Sequence, residues 1–326
     1  MPEFWLAWIA ILGGFVGLIW SADRFVGGSA AIANNLGVSR LVIGLTIVSL
    51  GTSAPEIVVS ISSSLKQAGE LAIGNALGSN LANIGLVLAI TALIAPMPIQ
   101  RHLLRQEIPI LLLVTAAAGF TLYDGHLTFV EGLLLTGSLI PLLYFMIRTK
   151  KAHPSPEEED TEIPDNSMTT ASLWFAVGLG ALIASSELLV WGATTVAEAF
   201  EVSPLIIGLT VIAIGTSLPE LAASVMSALK GHHDMALGNI IGSNIFNILA
   251  VMAVPGLLGP LALDSSVFTR DFMAMAAVTL LLSIAIIVDY RLRNSDPSQH
   301  GEAHLGRIIG CLLLASYIAY YYLLFQ

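Results

Sequence analysis

The chain has one cysteine, Cys311, in 326 residues. That excludes an intramolecular disulfide and a metal centre built on paired thiolates. Charge is scarce too. Asp, Glu, Lys and Arg make up 11% of the residues, against about 25% in a typical soluble domain. With 56% hydrophobic residues and a mean hydropathy of +0.83, most of the chain must face lipid or another apolar helix. No basic stretch precedes the first apolar run, which begins Met1-Pro2-Glu3-Phe4-Trp5, so the first span is expected to stay rather than be cleaved. The short alternating segments of barrel strands are also missing.

Long apolar runs are abundant. A helix needs about 20 such residues to cross a bilayer. Runs of that kind fall at 4–34, 38–65, 71–95, 103–123, 128–147, 171–199, 203–229, 235–258, 269–289 and 305–325. The expected fold class is an all-α polytopic membrane protein with ten transmembrane helices. With ten spans, eleven of the thirteen Lys and Arg fall on one side, leaving Lys66 and Arg270 on the other. The positive-inside rule makes the rich side cytoplasmic. Both termini are then outside, and the loop 148–170 is cytoplasmic.

Residues 44–83 align with 208–247 without a gap, and 19 of the 40 pairs are identical. The same offset of 164 pairs Asp23 with Glu187, Pro96 with Pro260 and Glu107 with Asp271. Each half holds five spans, an odd number, so the second half enters the membrane inverted. The expected domains are a first five-helix repeat at 1–150, a linker at 151–170 and an inverted repeat at 171–326. The linker carries Glu157, Glu158, Glu159, Asp160, Glu162 and Asp165 among prolines. A solvated connection suits it better than a calcium sensor, because EF-hand spacing is absent.

The strongest signal inside the repeat is Gly51-Thr52-Ser53-Ala54-Pro55-Glu56, which returns as Gly215-Thr216-Ser217-Leu218-Pro219-Glu220. A charged side chain in mid-membrane costs about 2.5–3.5 kcal/mol on insertion scales, so a matched pair points to function. Each proline lacks the N–H that would bond the carbonyl four residues back, at Gly51 or Gly215. A second motif, Gly74-Asn75-x-x-Gly78-Ser79-Asn80 with Asn83, is mirrored by Gly238-Asn239-x-x-Gly242-Ser243-Asn244 with Asn247. On helices, Thr52 and Glu56, Thr216 and Glu220, Ser79 and Asn83, and Ser243 and Asn247 each share a face. With Ser53 and Ser217 these residues supply two carboxylates, two amides and several hydroxyls. Hard cations such as Ca²⁺ and Na⁺ fit that set, and transition metals do not.

Blander readings apply to other residues. The glycines at 74, 78, 238 and 242 are expected to pack helices closely. Ser60, Ser62, Ser63 and Ser64 are expected to bond their own helix backbone. Asp23 reads as an interfacial partner of Arg24, with gating or a supporting role open for Asp23 and Glu187. Glu107 and Asp271 read as helix-start charges. Lys66 and Lys230 read as snorkelling side chains. His232 and His233 are expected to be solvent-exposed.

The paired motifs resemble the alpha-1 and alpha-2 repeats of the cation/Ca²⁺ exchanger superfamily, at 44–90 and 208–254, and within it the prokaryotic sodium/calcium exchanger branch. The resemblance implies a non-enzymatic secondary antiporter of the plasma (inner) membrane, exchanging Na⁺ for Ca²⁺ by alternating access. Helices 2, 3, 7 and 8 would be broken, and spans 1 and 6 would slide against the rest. The usual exchange is three Na⁺ for one Ca²⁺. The implied ligands are Glu56, Glu220, Thr52, Ser53, Thr216, Ser217, Ser79, Asn83, Ser243 and Asn247, with backbone carbonyls at Ser49 and Ala213. No cofactor or nucleic acid is implied; the partners are the two ions and the lipid bilayer, and the functional unit is a monomer. Some relatives carry aspartate where this chain has Asn247, which leaves H⁺ or K⁺ involvement open. A Ca²⁺/H⁺ antiporter on the same scaffold is the nearest rival, and a passive cation channel is a remote one. An intramembrane hydrolase would need a histidine or lysine base at that depth, and the motifs have none.

Overall fold

The computed structural model describes residues 2–151, 166–201, 213–294 and 303–324. In chain order its α-helices are α1 (Pro2–Leu36), α2 (Arg40–Ile43), α3 (Ser49–Thr52), α4 (Ala54–Leu65), α5 (Gly69–Ala82), α6 (Ala89–Ile94), α7 (Ile108–Leu122) and α8 (Phe129–Lys151). There follow α9 (Met168–Ala199), α10 (Ala213–Thr216), α11 (Leu218–Leu229), α12 (His233–Phe246), α13 (Val254–Leu258), α14 (Met273–Asn294) and α15 (Arg307–Leu324). Single π-helical turns interrupt the runs at Gly44–Val48, Asn83–Leu88, Leu103–Glu107, Asn247–Val251 and Val267–Phe272.

Among the described residues, eight helical segments are long and apolar enough to cross a membrane. A ninth is the bent pair Arg40–Thr52 and Ala54–Leu65, which turns by 44°. The tenth expected span, 203–229, lies partly outside the described residues; α10 and α11 are its described part. The expected breaks in spans 3 and 8 are not found. Gly69–Ile94 and His233–Leu258 each form one crossing segment, with a π-helical turn instead of a break. No proline falls in either second motif, so the hydrogen-bond ladder has only an extra residue to absorb. Among the described residues four two-residue strands add to the helices: β1 (Met97–Pro98) pairs with β4 (His304–Leu305), and β2 (His126–Leu127) with β3 (Leu261–Ala262), both antiparallel. The acidic linker falls mostly outside the described residues, and α9 already begins at Met168, before the expected end at 170.

The chain divides into two compact units, Met1–Pro55 with Ile147–Asn239 and Glu56–Met146 with Ile240–Gln326. In the first, α1 lies along α9 with glycine at the closest points. A Cβ on Gly28 would sit 2.5 Å from the Phe175 nitrogen, and one on Gly192 would sit 2.7 Å from the Ala7 carbonyl. Phe25, Val26, Leu182 and Met235 belong to the core that this approach closes. Gly44 and Gly238 pack reciprocally: their Cβ atoms would meet the Met235 carbonyl at 2.6 Å and the Leu41 carbonyl at 2.7 Å. The packing expected of Gly238 is therefore present. For Gly74 and Gly78 it is not, since an added Cβ would meet nothing within 4 Å among the described residues. In the second unit, Gly85 seats Tyr317 of α15, where a Cβ would come within 2.7 Å of the ring side chain.

Both repeats close their first-motif helix alike. The Ala68 N–H reaches the Ser63 carbonyl at 2.9 Å, and the His232 N–H reaches the Ser227 carbonyl at 2.8 Å. Such closures need a residue in the left-handed region. Gly231 takes it at φ 75°, whereas its counterpart Gln67 takes it at φ 60° with a side chain attached.

Candidate ion-binding site

Proline sets the local geometry. Ahead of Pro55, α3 ends at Ser53, with φ −81° and ψ 7°, and α4 starts afresh at Ala54. Ser217, ahead of Pro219, has nearly the same backbone, φ −90° and ψ 4°, and α11 starts at Leu218. Sequence identity in the motif has become identity of backbone shape. The carbonyl that Pro219 cannot bond, that of Gly215, accepts the Ser186 hydroxyl of α9 at 2.9 Å. Ser186 did not emerge from the sequence because its repeat counterpart is Ala22.

Each glutamate lies in the first turn of a helix, where the positive end of the dipole favours a carboxylate. Glu56 is 1% exposed and Glu220 is fully buried. In the first unit, Ser53 Oγ donates to Glu220 Oε1 at 3.1 Å. Thr52 Oγ1 lies 3.0 Å from Asn239 Oδ1 and 3.3 Å from the Ser49 carbonyl. That Ser49 carbonyl also accepts the Ser53 N–H at 2.9 Å. Ser217 is buried, Thr216 is half-buried, and Ala213 opens α10.

In the second unit, Ser79 Oγ lies 3.4 Å from Glu56 Oε1. Asn83, Ser243 and Asn247 are all buried there. The amides of Asn83 and Asn247 have no hydrogen-bond partner for either nitrogen or oxygen among the described residues. A buried polar group left so costs about 1–3 kcal/mol, and these two occupy equivalent repeat positions. The backbone beside them is loosened as well, because each opens a π-helical turn.

One pair of residues went unrecognised in the sequence as part of the site. Asn75 Nδ2 donates to the Glu56 carbonyl at 3.3 Å, and Asn239 Nδ2 donates to the Glu220 carbonyl at 3.4 Å. Asn239 Nδ2 also reaches Ser224 Oγ at 2.9 Å. Each amide thus ties the second motif to the backbone of the glutamate in the first. Their appearance in both motif copies was the available signal.

Other expectations change. Lys230 does not snorkel: its Nζ lies 2.7 Å from Asp23 Oδ1 and 3.0 Å from the Asp23 carbonyl. Arg24 lies only 3.9 Å from Asp23 and stacks on Trp174 at 4.9 Å, while Glu187 is exposed. Glu107 and Asp271, each at or just ahead of a helix start, also have specific partners. Glu107 Oε2 lies 3.1 Å from His102 Nδ1, and Asp271 accepts Arg270 at 2.7 Å and the Tyr320 hydroxyl at 3.1 Å. Ser63 bonds its own helix at Val59, whereas Ser60 donates instead to the Val251 carbonyl at 2.7 Å. His232 is buried rather than solvent-exposed, and its Nδ1 lies 3.2 Å from an Arg40 guanidinium nitrogen. Burial, and then the charges of Arg40, Lys230 and His233, push its pKa down to about 4.

Among the described residues no three His, Cys, Asp or Glu side chains gather as a metal cluster. The donors in both units are carboxylate, amide and hydroxyl oxygens, a set suited to hard cations that bind and leave.

The sequence model described as sodium/calcium exchanger protein matches residues 6–148 and 170–326. CaxA of Alkalimonas amylolytica is 46% identical over 98% of this chain and 99% of its own length. The inner membrane protein YrbG of Escherichia coli K12 is 37% identical, covering 98% and 97%. A solved structure of the sodium-calcium exchanger NCX_Mj superposes with a TM-score of 0.81 at 32% identity, covering 97% of this chain and 98% of that one. An all-helical membrane protein with duplicated, carboxylate-bearing broken helices has thereby found its relatives: the chain belongs to the sodium/calcium exchanger family.

Proposed function

We infer that the chain exchanges Na⁺ for Ca²⁺ by alternating access, with Glu56 and Glu220 as the anionic ligands of the transported ions. The protein is a cation/Ca²⁺ antiporter and not an enzyme. The further ligands we assign are Thr52, Ser53, Thr216, Ser217, Ser79, Asn83, Ser243 and Asn247, with backbone carbonyls at Ser49 and Ala213. The observation that carries this reading is the buried amide pair. Asn83 and Asn247 keep oxygen and nitrogen without hydrogen-bond partners among the described residues, at repeat-equivalent positions one helical turn beyond Ser79 and Ser243. A cation would satisfy their oxygens.

Two carboxylates neutralise one Ca²⁺, or two of three Na⁺. Three-for-one exchange moves one net charge per cycle, and about 2.3 kcal/mol per 100 mV of membrane potential then assists or opposes it. Ten spans arranged as two inverted repeats, 1–150 and 171–326 about the acidic 151–170 linker, suit this cycle, because symmetry-related halves can exchange roles. Outside termini and a cytoplasmic linker follow from the charge asymmetry. The bacterial inner membrane is the proposed location, supported by the name of the YrbG relative. The functional unit we propose is a monomer.

Radiolabelled calcium flux in proteoliposomes tests this reading. A Na⁺ gradient should drive uptake, and a K⁺ or H⁺ gradient of equal size should not. Uptake driven by a pH gradient in sodium-free buffer would instead establish a Ca²⁺/H⁺ antiporter, and uptake with no counter-ion a channel.

A further inference from the structure

Ser60 departs from the habit of its residue type. A serine inside a membrane helix usually donates to the carbonyl four residues back, which here is that of Glu56. The Glu56 carbonyl takes Asn75 Nδ2 at 3.3 Å. Ser60 Oγ reaches out of α4 altogether and donates to the Val251 carbonyl at 2.7 Å. Ser60 is fully buried, one turn beyond Glu56 and on the same face of α4.

The acceptor is open for a local reason. Val251 ends the π-helical turn Asn247–Val251, which the Met252 N–H closes on the Asn247 carbonyl at 2.8 Å. The Val251 carbonyl would ordinarily take the N–H four positions on. Residue 255 is proline and has none. The Ser60 hydroxyl supplies a donor in its place. One hydrogen bond thus joins the helix of Glu56 to the end of the turn that Asn247 opens.

The other copy of the repeat is wired differently. Thr91 corresponds to Pro255 and keeps its N–H. Its hydroxyl bonds the carbonyl of Val87, the counterpart of Val251, at 2.7 Å. Ser224 corresponds to Ser60 and accepts Asn239 Nδ2 at 2.9 Å. Serine therefore recurs at this position, but the proline that opens the carbonyl occurs once.

We propose that Ser60 is a positioning residue of the transport site, which through the Val251 carbonyl sets the helix of Glu56 against the π-helical turn of Asn247. The inference rests on Glu56 and Asn247 being ion ligands, as assigned above. Ser60 itself touches no ion. It fixes the spacing of a carboxylate and an amide that must reach the same cation. Extra residues in a helix are often found at functional sites, where they need holding in one register.

The test measures the calcium dependence of sodium-driven flux for the full chain in proteoliposomes. Ser60→Ala should raise the calcium concentration for half-maximal flux about three- to tenfold, the worth of one neutral hydrogen bond, and keep the rate at saturating calcium. Mere loss of folded protein would lower that rate and leave the half-maximal concentration alone, which would overturn the proposal. Ser63→Ala, which removes a hydroxyl bonded to the backbone of α4 itself, should match wild type. The double change Ser60→Ala with Pro255→Ala returns an N–H to the Val251 carbonyl from its own chain segment. It also keeps the assay open if Ser60→Ala alone folds poorly. The double variant should still need more calcium than wild type, because the link to α4 is gone. Wild-type affinity in the double variant would show that Ser60 only satisfies a buried carbonyl, and would overturn the positioning role. Glu56→Gln, assayed alongside, separates the two readings. Unchanged affinity there would remove the ligand assignment itself, whereas a loss there with wild-type affinity in Ser60→Ala would overturn the role of Ser60 alone.

Discussion

Ser53 donates its hydroxyl to Glu220 across 3.1 Å, joining residues 167 positions apart in sequence. Ser53 belongs to one copy of the motif and Glu220 to the other. A residue of the first repeat therefore helps to set the carboxylate of the second. Ser53→Ala removes a hydrogen bond to a charged group, about 1.5–3 kcal/mol. Apparent calcium affinity should fall roughly ten- to a hundredfold, measured as the calcium dependence of sodium-driven flux, while the protein stays folded. Unchanged affinity would remove Ser53 from the ligand set.

Asn75 and Asn239 hold the backbone carbonyls of Glu56 and Glu220. Asn239→Ala loses contacts to Thr52, Ser224 and Glu220, whereas Asn75→Ala loses the bond to the Glu56 carbonyl. Asn239→Ala should cost about 1–3 kcal/mol in stability and lower flux more than Asn75→Ala does. Thermal unfolding in detergent and flux assays, run side by side, check the order. Equal effects would deny Asn239 its larger part.

His232 gives a pH dependence with a definite sign. Its folded pKa, about 4, lies below the ordinary value of 6.5, so the unfolded chain takes up the proton first. The stabilisation is complete above about pH 6.5, is lost as pH falls toward 4, and is level below that. Between pH 6.5 and pH 5 the loss is about 2 kcal/mol. His232→Gln keeps an acceptor for Arg40 but cannot take up the proton, so this part of the acid sensitivity should vanish from unfolding curves. An unchanged pH profile would show that His232 does not titrate as its surroundings require.

Gln67 holds the left-handed conformation that Gly231 holds in the other repeat. A side chain there costs about 1–2 kcal/mol. Gln67→Gly should therefore stabilise the protein, less the greater freedom that glycine gives the unfolded chain, for a net gain of about 0.5–1 kcal/mol. Gly231→Gln should destabilise it by a similar amount. A lower unfolding temperature for Gln67→Gly would contradict both.

Much of this was legible from residues 44–83 and 208–247 alone. Proline beside glutamate, written twice, located the breaks at Ser53 and Ser217, because a missing N–H is a local fact. The breaks expected in spans 3 and 8 had no such cause, and those helices continue through a π-helical turn. Long-range partners were the hard part. Lys230 looked like a snorkelling end residue until Asp23 appeared beside it, and His232 looked like loop until Arg40 covered it. Neither pairing leaves a trace in spacing. Ser186 was hidden for a related reason: its counterpart is alanine, so the repeat carried no hint of it.

Titration of purified protein with calcium at several sodium concentrations bears most directly on Glu56 and Glu220 as ligands of both ions. Wild type should bind calcium with a dissociation constant that rises more steeply than first order with sodium. Glu56→Gln and Glu220→Gln should each weaken calcium binding by at least about a hundredfold, as expected when one buried charge is left without its counterpart. Calcium binding that is indifferent to sodium, or that survives both substitutions in folded protein, would contradict the assignment.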